Sequence, residues 1–194
     1  MKGDWKEAPR LIEEVYTLED ALVAAQWLNL FLRRADVVKI ACLAQIVNVI
    51  APILTETDAL LKQSIFYPFL LFSRLARGNS LDLLLQSPRH ETKRYGDVPL
   101  LDVSATHDPE TRLGALFLVN RSQSEEALLG FHWQNVRPLN TRAWQLAGTD
   151  PMAVNSFEQP NRVVARPLAV QSIETGSQLL LPPLSFTAFE MILR

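Results

Sequence analysis

The sequence predicts an α+β chain in two segments: the last units of a (β/α)8 barrel, too few to close, followed by an all-β, jelly-roll-like sandwich. Two observations carry this expectation. Residues 37–53, VVKIACLAQIVNVIAPI, form an almost unbroken apolar run between two stretches of helical periodicity, the pattern of a parallel strand covered on both faces. After Gly78 the pattern changes to short apolar segments separated by turn residues, the spacing of a sandwich. The boundary is placed at residue 78, giving a barrel remnant over 1–78 and a sandwich over 79–194.

Taken in order, the first ten residues, MKGDWKEAPR, carry charges where a secretion signal would need an apolar core, so a cytoplasmic location is expected. From Thr17 the residues Leu18, Ala21, Leu22, Ala25, Leu28 and Leu32 recur at the spacing of one buried helix face. Thr17 with Asp20 three positions later is an N-cap signal, and Arg33 and Arg34 suit the negative end of the helix dipole. A helix over 17–34 follows. Residues 37–53 are then the buried strand, with Cys42 as a small hydrophobe inside it. A second helix is predicted from Thr55 or Thr57 to Arg77, interrupted at Pro68 and stopped by Gly78. Strands are predicted over 100–104, 113–119, 127–133, 142–146, 163–166, 178–181 and 186–193, divided by Pro, Gly and Asx-Pro turns.

Composition narrows the function. With 194 residues and 48% apolar content the chain has enough material for one ordinary core or two small ones. A net charge of -2 and scattered Lys and Arg offer no field for nucleic acid. Lys39, Gln45, Asn48 and Pro52 interrupt the apolar run, so no membrane span is expected from it. One cysteine allows no internal disulfide. His90, His107 and His132 lack ligand spacing with one another or with Cys42, so neither a metal nor another cofactor is expected.

Catalytic groups are scarce. Glycoside cleavage with retention needs two carboxyl groups about 5 Å apart. The adjacent pairs Glu13-Glu14 and Glu125-Glu126 point apart on either a strand or a helix and read as solvated surface. Glu19 and Asp20 belong to a first helical turn. Trp133 and Trp144 could stack on a sugar face, although core packing explains them as well. Gln45 stands out because it interrupts the apolar run where the strand should end, the position from which barrel enzymes reach their substrates. By position alone it either satisfies local backbone groups or contacts a ligand, and an amide suits a sugar because it both donates and accepts.

The stretches TLEDALVAAQWLNLFLRRADVVKIACLAQIVNVIAP (17–52), SIFYPF (64–69), YGDVPLLDVSAT (95–106) and LPPLSFTAFEMILR (181–194) resemble the α-L-arabinofuranosidases of glycoside hydrolase family 51. The first is similar to the region just after that family's catalytic nucleophile, and together they span nearly the whole chain. The resemblance implies a (β/α)8 catalytic barrel with an accessory sandwich. It implies retaining hydrolysis of terminal α-L-arabinofuranosyl residues, with an arabinose-containing oligosaccharide as the partner of the complete enzyme. In that family the acid/base follows an asparagine and the nucleophile precedes a tryptophan. Neither Asn-Glu nor Glu-Trp occurs in this sequence, so no catalytic residue is assigned. Gln45 matches the family's glutamine that hydrogen-bonds the arabinofuranosyl ring and is the one substrate-binding residue expected. Asn48 lies in the same motif, where orienting the following loop is its simplest role. Arg10 and Arg34 depart from the family pattern, at positions where proline and histidine are common.

Two functions therefore stand: the C-terminal piece of an arabinofuranosidase without a complete active site, or a noncatalytic carbohydrate-binding or assembly module. Exposed aromatics gathered on one sandwich face would favour the module. An apolar surface facing an absent barrel would favour the piece, and would make a homo-oligomer an expected partner.

Overall fold

The computed structural model describes residues 13–170 and 173–194, and Arg10 lies outside the described residues. Helix α1 (Leu18–Arg33) begins at Thr17, whose hydroxyl accepts from the Asp20 N–H at 3.2 Å while the Asp20 carboxylate accepts from the Thr17 N–H at 2.8 Å. This reciprocal box satisfies N–H groups that a helix start leaves open. Two more are taken by a distant segment: the Leu18 and Glu19 amides donate to the Ala153 and Pro151 carbonyls. Arg34 caps the other end.

A short hairpin, β1 (Ile53–Thr55) with β2 (Leu60–Lys62), leads to α2 (Phe66–Leu75). The second helix is thus shorter than predicted, because a hairpin occupies its expected first turns. Pro68 does not interrupt it. The proline stands in the first turn, where its missing N–H has no carbonyl to meet.

The strands that follow are β3 (Asn79–Leu81), β4 (Arg89–Thr92), β5 (Gly96–Pro99), β6 (Leu101–His107), β7 (Leu113–Asn120), β8 (Ala127–Gly130), β9 (Pro138–Ala147), β10 (Arg166–Leu168), β11 (Gln178–Leu181) and β12 (Ser185–Leu193). Six of them form one antiparallel sheet in the order β10-β9-β12-β7-β6-β3. Gly78 lets the chain enter it: its φ is +75°, and a Cβ there would lie 2.3 Å from the His107 carbonyl oxygen.

The sheet is covered on both faces. On one, Ala115, Phe117, Val119, Leu146, Phe186 and Ala188 meet the apolar faces of α1 and α2, and the Phe72 ring stacks on Phe117 with centroids 3.9 Å apart. On the other, Leu116, Leu118, Phe189 and Met191 pack under the β8–β11 pair and Phe131. The predicted sandwich is therefore present, with the helices as a further layer on its large sheet. Trp133 and Trp144 are half-buried against these two cores, as packing predicts.

A polar seam sets α1 on β6. Asn29 is fully buried, accepts from Ser104 at 2.5 Å, and donates to the Asp102 carboxylate at 2.9 Å. Arg33 pairs with the same carboxylate at 2.9 Å and donates to the Val103 carbonyl at 2.6 Å. Each of these groups would be costly to leave unpaired, so the seam admits few other registers.

Residues 37–53 do not form the predicted buried strand, and no barrel remnant is evident. The first strand begins only at Ile53. Val37, Ile46 and Ile40 are exposed, the last at 83%, and Cys42 is exposed rather than buried. The physical reason lies in the edges. A parallel strand needs neighbours to take its N–H and C=O groups, and the described residues place no strand beside residues 37–52 beyond the single Val47–Ile53 bridge. Hydrophobicity alone cannot bury a segment whose backbone polar groups would remain unpaired.

Candidate functional site

Gln45 lies on this exposed, irregular run and has φ 57°. Its carboxamide makes no hydrogen bond to another described residue. Asn48 and Val49 have φ 61° each, so three non-glycine residues within five positions occupy the left-handed region. A β-branched residue there is strained, and strain of this kind persists only where surrounding contacts hold it.

Those contacts lie just downstream. Asn48 accepts from the Thr55 N–H at 2.8 Å, donates to the Thr55 hydroxyl at 3.0 Å, and its own N–H donates to the Ile53 carbonyl at 2.7 Å. Asn48 thus fastens the segment to β1, which is the loop-orienting role read from the sequence. A second clasp comes from Gln63, which is 1% exposed. Its Nε2 donates to the carbonyls of Ala51 at 2.8 Å and Glu14 at 3.2 Å, and its Oε1 accepts from the Tyr16 N–H at 3.0 Å. The Tyr16 hydroxyl donates to the Ile50 carbonyl at 2.7 Å, and the Glu14 N–H donates to the Val49 carbonyl at 3.0 Å. Burial first, then the charges of Glu14 and Asp20, push the Tyr16 phenol above its ordinary value, which keeps it a neutral donor. Nothing in the sequence flagged Gln63 or Tyr16, because their partners are main-chain atoms far away along the chain.

The other candidates stay apart from this site. Glu13-Glu14 and Glu125-Glu126 are exposed pairs. His90 and His132 are exposed and His107 half-buried, and among the described residues no group of three or more His, Cys, Asp or Glu could hold a metal ion. Near the start of the run, Asp36 and Arg34 pair at 2.9 Å, and the hydrogen bond from the guanidinium holds the Asp36 carboxyl below its usual range. Beside them a cleft of about 830 Å³ opens between the end of α1, β3 and β6, lined by Arg33, Asp36, Lys39, Asp82 and Asp102 among others. Among the described residues no helix is long and apolar enough to cross a membrane.

The architecture, a β-sandwich with two covering helices, recurs in solved glycosidases. A family 51 α-L-arabinofuranosidase from Bifidobacterium longum superposes with a TM-score of 0.88 at 33% identity, over 99% of this chain and 38% of that one. The arabinose complex of the Thermotoga maritima α-L-arabinofuranosidase gives 0.82 over 92% of this chain and 39% of that one, a likeness of fold at 24% identity. Residues 2–185 match the family described as Alpha-L-arabinofuranosidase C-terminal domain. The chain belongs to that family and corresponds to the C-terminal part of the family 51 enzymes. An intracellular exo-α-(1→5)-L-arabinofuranosidase of Streptomyces lividans is 40% identical over 192 residues, which make up 95% of this chain and 28% of the relative. An exo-α-(1→6)-L-arabinofuranosidase of Bifidobacterium longum is 38% identical over 96% of this chain and 37% of its own length. The chain thus spans less than two-fifths of these relatives.

Proposed function

We propose that this chain is the C-terminal part of a longer, retaining α-L-arabinofuranosidase, in which residues 1–78 complete the catalytic barrel and residues 79–194 form the accessory sandwich. The observation that carries this reading is where the apolar surface lies. Helix α1 turns Leu18, Ala21, Leu22, Ala25 and Leu28 inward, yet Val23, Trp27 and Leu30 form a second stripe that is exposed. The next exposed large apolar residues along the chain are Val37, Ile40, Ile46, Val47 and Val49. A helix apolar on both sides followed by an apolar, strand-length run is what barrel units need when helices and neighbouring strands surround them. Exposed aromatics do not favour the binding module: Trp27 and Tyr95 stand on separate elements, α1 and the turn between β4 and β5.

In the complete enzyme Gln45 would project from a strand end and share hydrogen bonds with the arabinofuranosyl hydroxyls. Its exposed carboxamide makes no hydrogen bond to another described residue and is available for this role. The two carboxyl groups of the double displacement would come from upstream barrel strands, since the sequence contains neither an Asn-Glu nor a Glu-Trp pair. Names of the relatives support an arabinose-containing oligosaccharide as substrate and, being called intracellular, a cytoplasmic location. In isolation the apolar stripe would favour self-association.

The test is turnover of an aryl α-L-arabinofuranoside. The purified 194-residue chain is expected to stay at the blank, while a polypeptide extended upstream through an intact barrel turns the substrate over and loses most activity on Gln45→Ala. Turnover by the chain alone that survives Gln45→Ala would overturn the assignment.

A further inference from the structure

Gln63 is a buried amide that donates both side-chain N–H groups and accepts one bond, with partners that are all backbone atoms, on two segments that it joins: Glu14 and Tyr16 before α1, and Ala51 after Gln45. Its own N–H also donates to the Pro52 carbonyl at 2.8 Å, so the side chain and backbone of one residue grip consecutive positions 51 and 52. Its neighbour Ser64, fully buried, donates to the Thr17 carbonyl at 2.5 Å, which ties the same point to the N-cap of α1. The strained residues 48 and 49 lie immediately upstream of this grip, and Gln45 three residues before them. No apolar side chain could replace the carboxamide without leaving the Ala51 and Glu14 carbonyls and the Tyr16 N–H to find other partners.

We infer that Gln63 is the positioning residue for the segment that presents Gln45: it fixes the exit of that segment against the start of α1 and so sets where the Gln45 amide points. This rests on the reading of Gln45 as a sugar contact. Gln63 itself touches no substrate. Its effect on turnover therefore passes through Gln45 and should vanish when Gln45 is gone.

Two measurements test this. In the 194-residue chain, Gln63→Met and the milder Tyr16→Phe are compared by amide hydrogen exchange. Gln63→Met is expected to speed exchange at Tyr16, Asn48, Ala51 and Thr55 about tenfold or more, and Tyr16→Phe to do so less, while amides of β7 and β12 hold their rates. In the upstream-extended polypeptide, Gln63→Glu, which keeps the acceptor and loses both donors, should lower kcat/KM about tenfold or more in the Gln45 background. It should cause no further loss in Gln45→Ala. Unchanged exchange in both variants, or losses that multiply in the double variant, would overturn the inference. Full activity of Gln45→Ala would instead remove the sugar-contact reading, and this inference with it.

Discussion

Two apolar stretches of this chain meet opposite fates. Residues 113–120, LGALFLVN, and residues 37–53, VVKIACLAQIVNVIAPI, are similarly hydrophobic, yet β7 is buried from Gly114 to Asn120 while most of the other run is exposed. What differs is company. β7 lies between β6 and β12 with its ladders filled on both edges, and helices and the β8–β11 pair lie over its two faces. Between the turn bonds of Val37 and Val38 to Arg34 and the clasps on residues 48–53, the 37–53 run has one isolated bridge, Val47 to Ile53. Hydrophobicity supplies the drive to bury, but paired edges decide whether a strand can go where that drive points.

The contrast can be sharpened by substitution. In the sheet, Phe186→Ala removes a ring that is fully buried and stacks at 5.7 Å on Phe72, and should cost about 3–5 kcal/mol, read as a large fall in melting temperature. At the other extreme, Ile40→Ser in the exposed run should change the stability of this chain by less than about 0.5 kcal/mol, although it removes an equally apolar side chain. A comparable loss at both positions would break the comparison, since it would mean that the run is packed.

Much of the sandwich was legible in the sequence, because its strands are doubly covered and so carry dense apolar patterns. The strand predicted over 178–181 matches β11, and those over 113–119 and 186–193 fall within one residue of β7 and β12. The strand predicted over 163–166 starts three residues before β10. Val163 is buried, but as a loop residue whose N–H is held by Asn155 at 2.7 Å, and pairing starts at Arg166. Strands β3, β4 and β5 were missed. Their sequences, NSL, RHET and GDVP, show no apolar alternation, and they exist through pairing to β6 or, for β4 and β5, to each other with an Arg89–Asp97 ion pair at 2.6 Å. The capping box of α1 was readable because it is local. Gln63 was not, since a buried amide that binds distant carbonyls leaves no mark on neighbouring residues.

The same limit explains the error over residues 37–53. A buried parallel strand was inferred from side chains, whereas its edges depend on neighbours that lie elsewhere in space. Of the polar residues that interrupt the run, Asn48 holds the exit of the segment through Thr55 and Ile53.

Amide hydrogen exchange on the unaltered 194-residue chain tests most directly this division between a finished sheet and an unpartnered run. Amides of β7, β9 and β12 should exchange only through global unfolding, while those of residues 39–46 should exchange close to the rate of unstructured peptide. Protection of residues 39–46 at the level of the sheet would contradict the account, because it would show that this chain pairs and buries the run without a barrel around it.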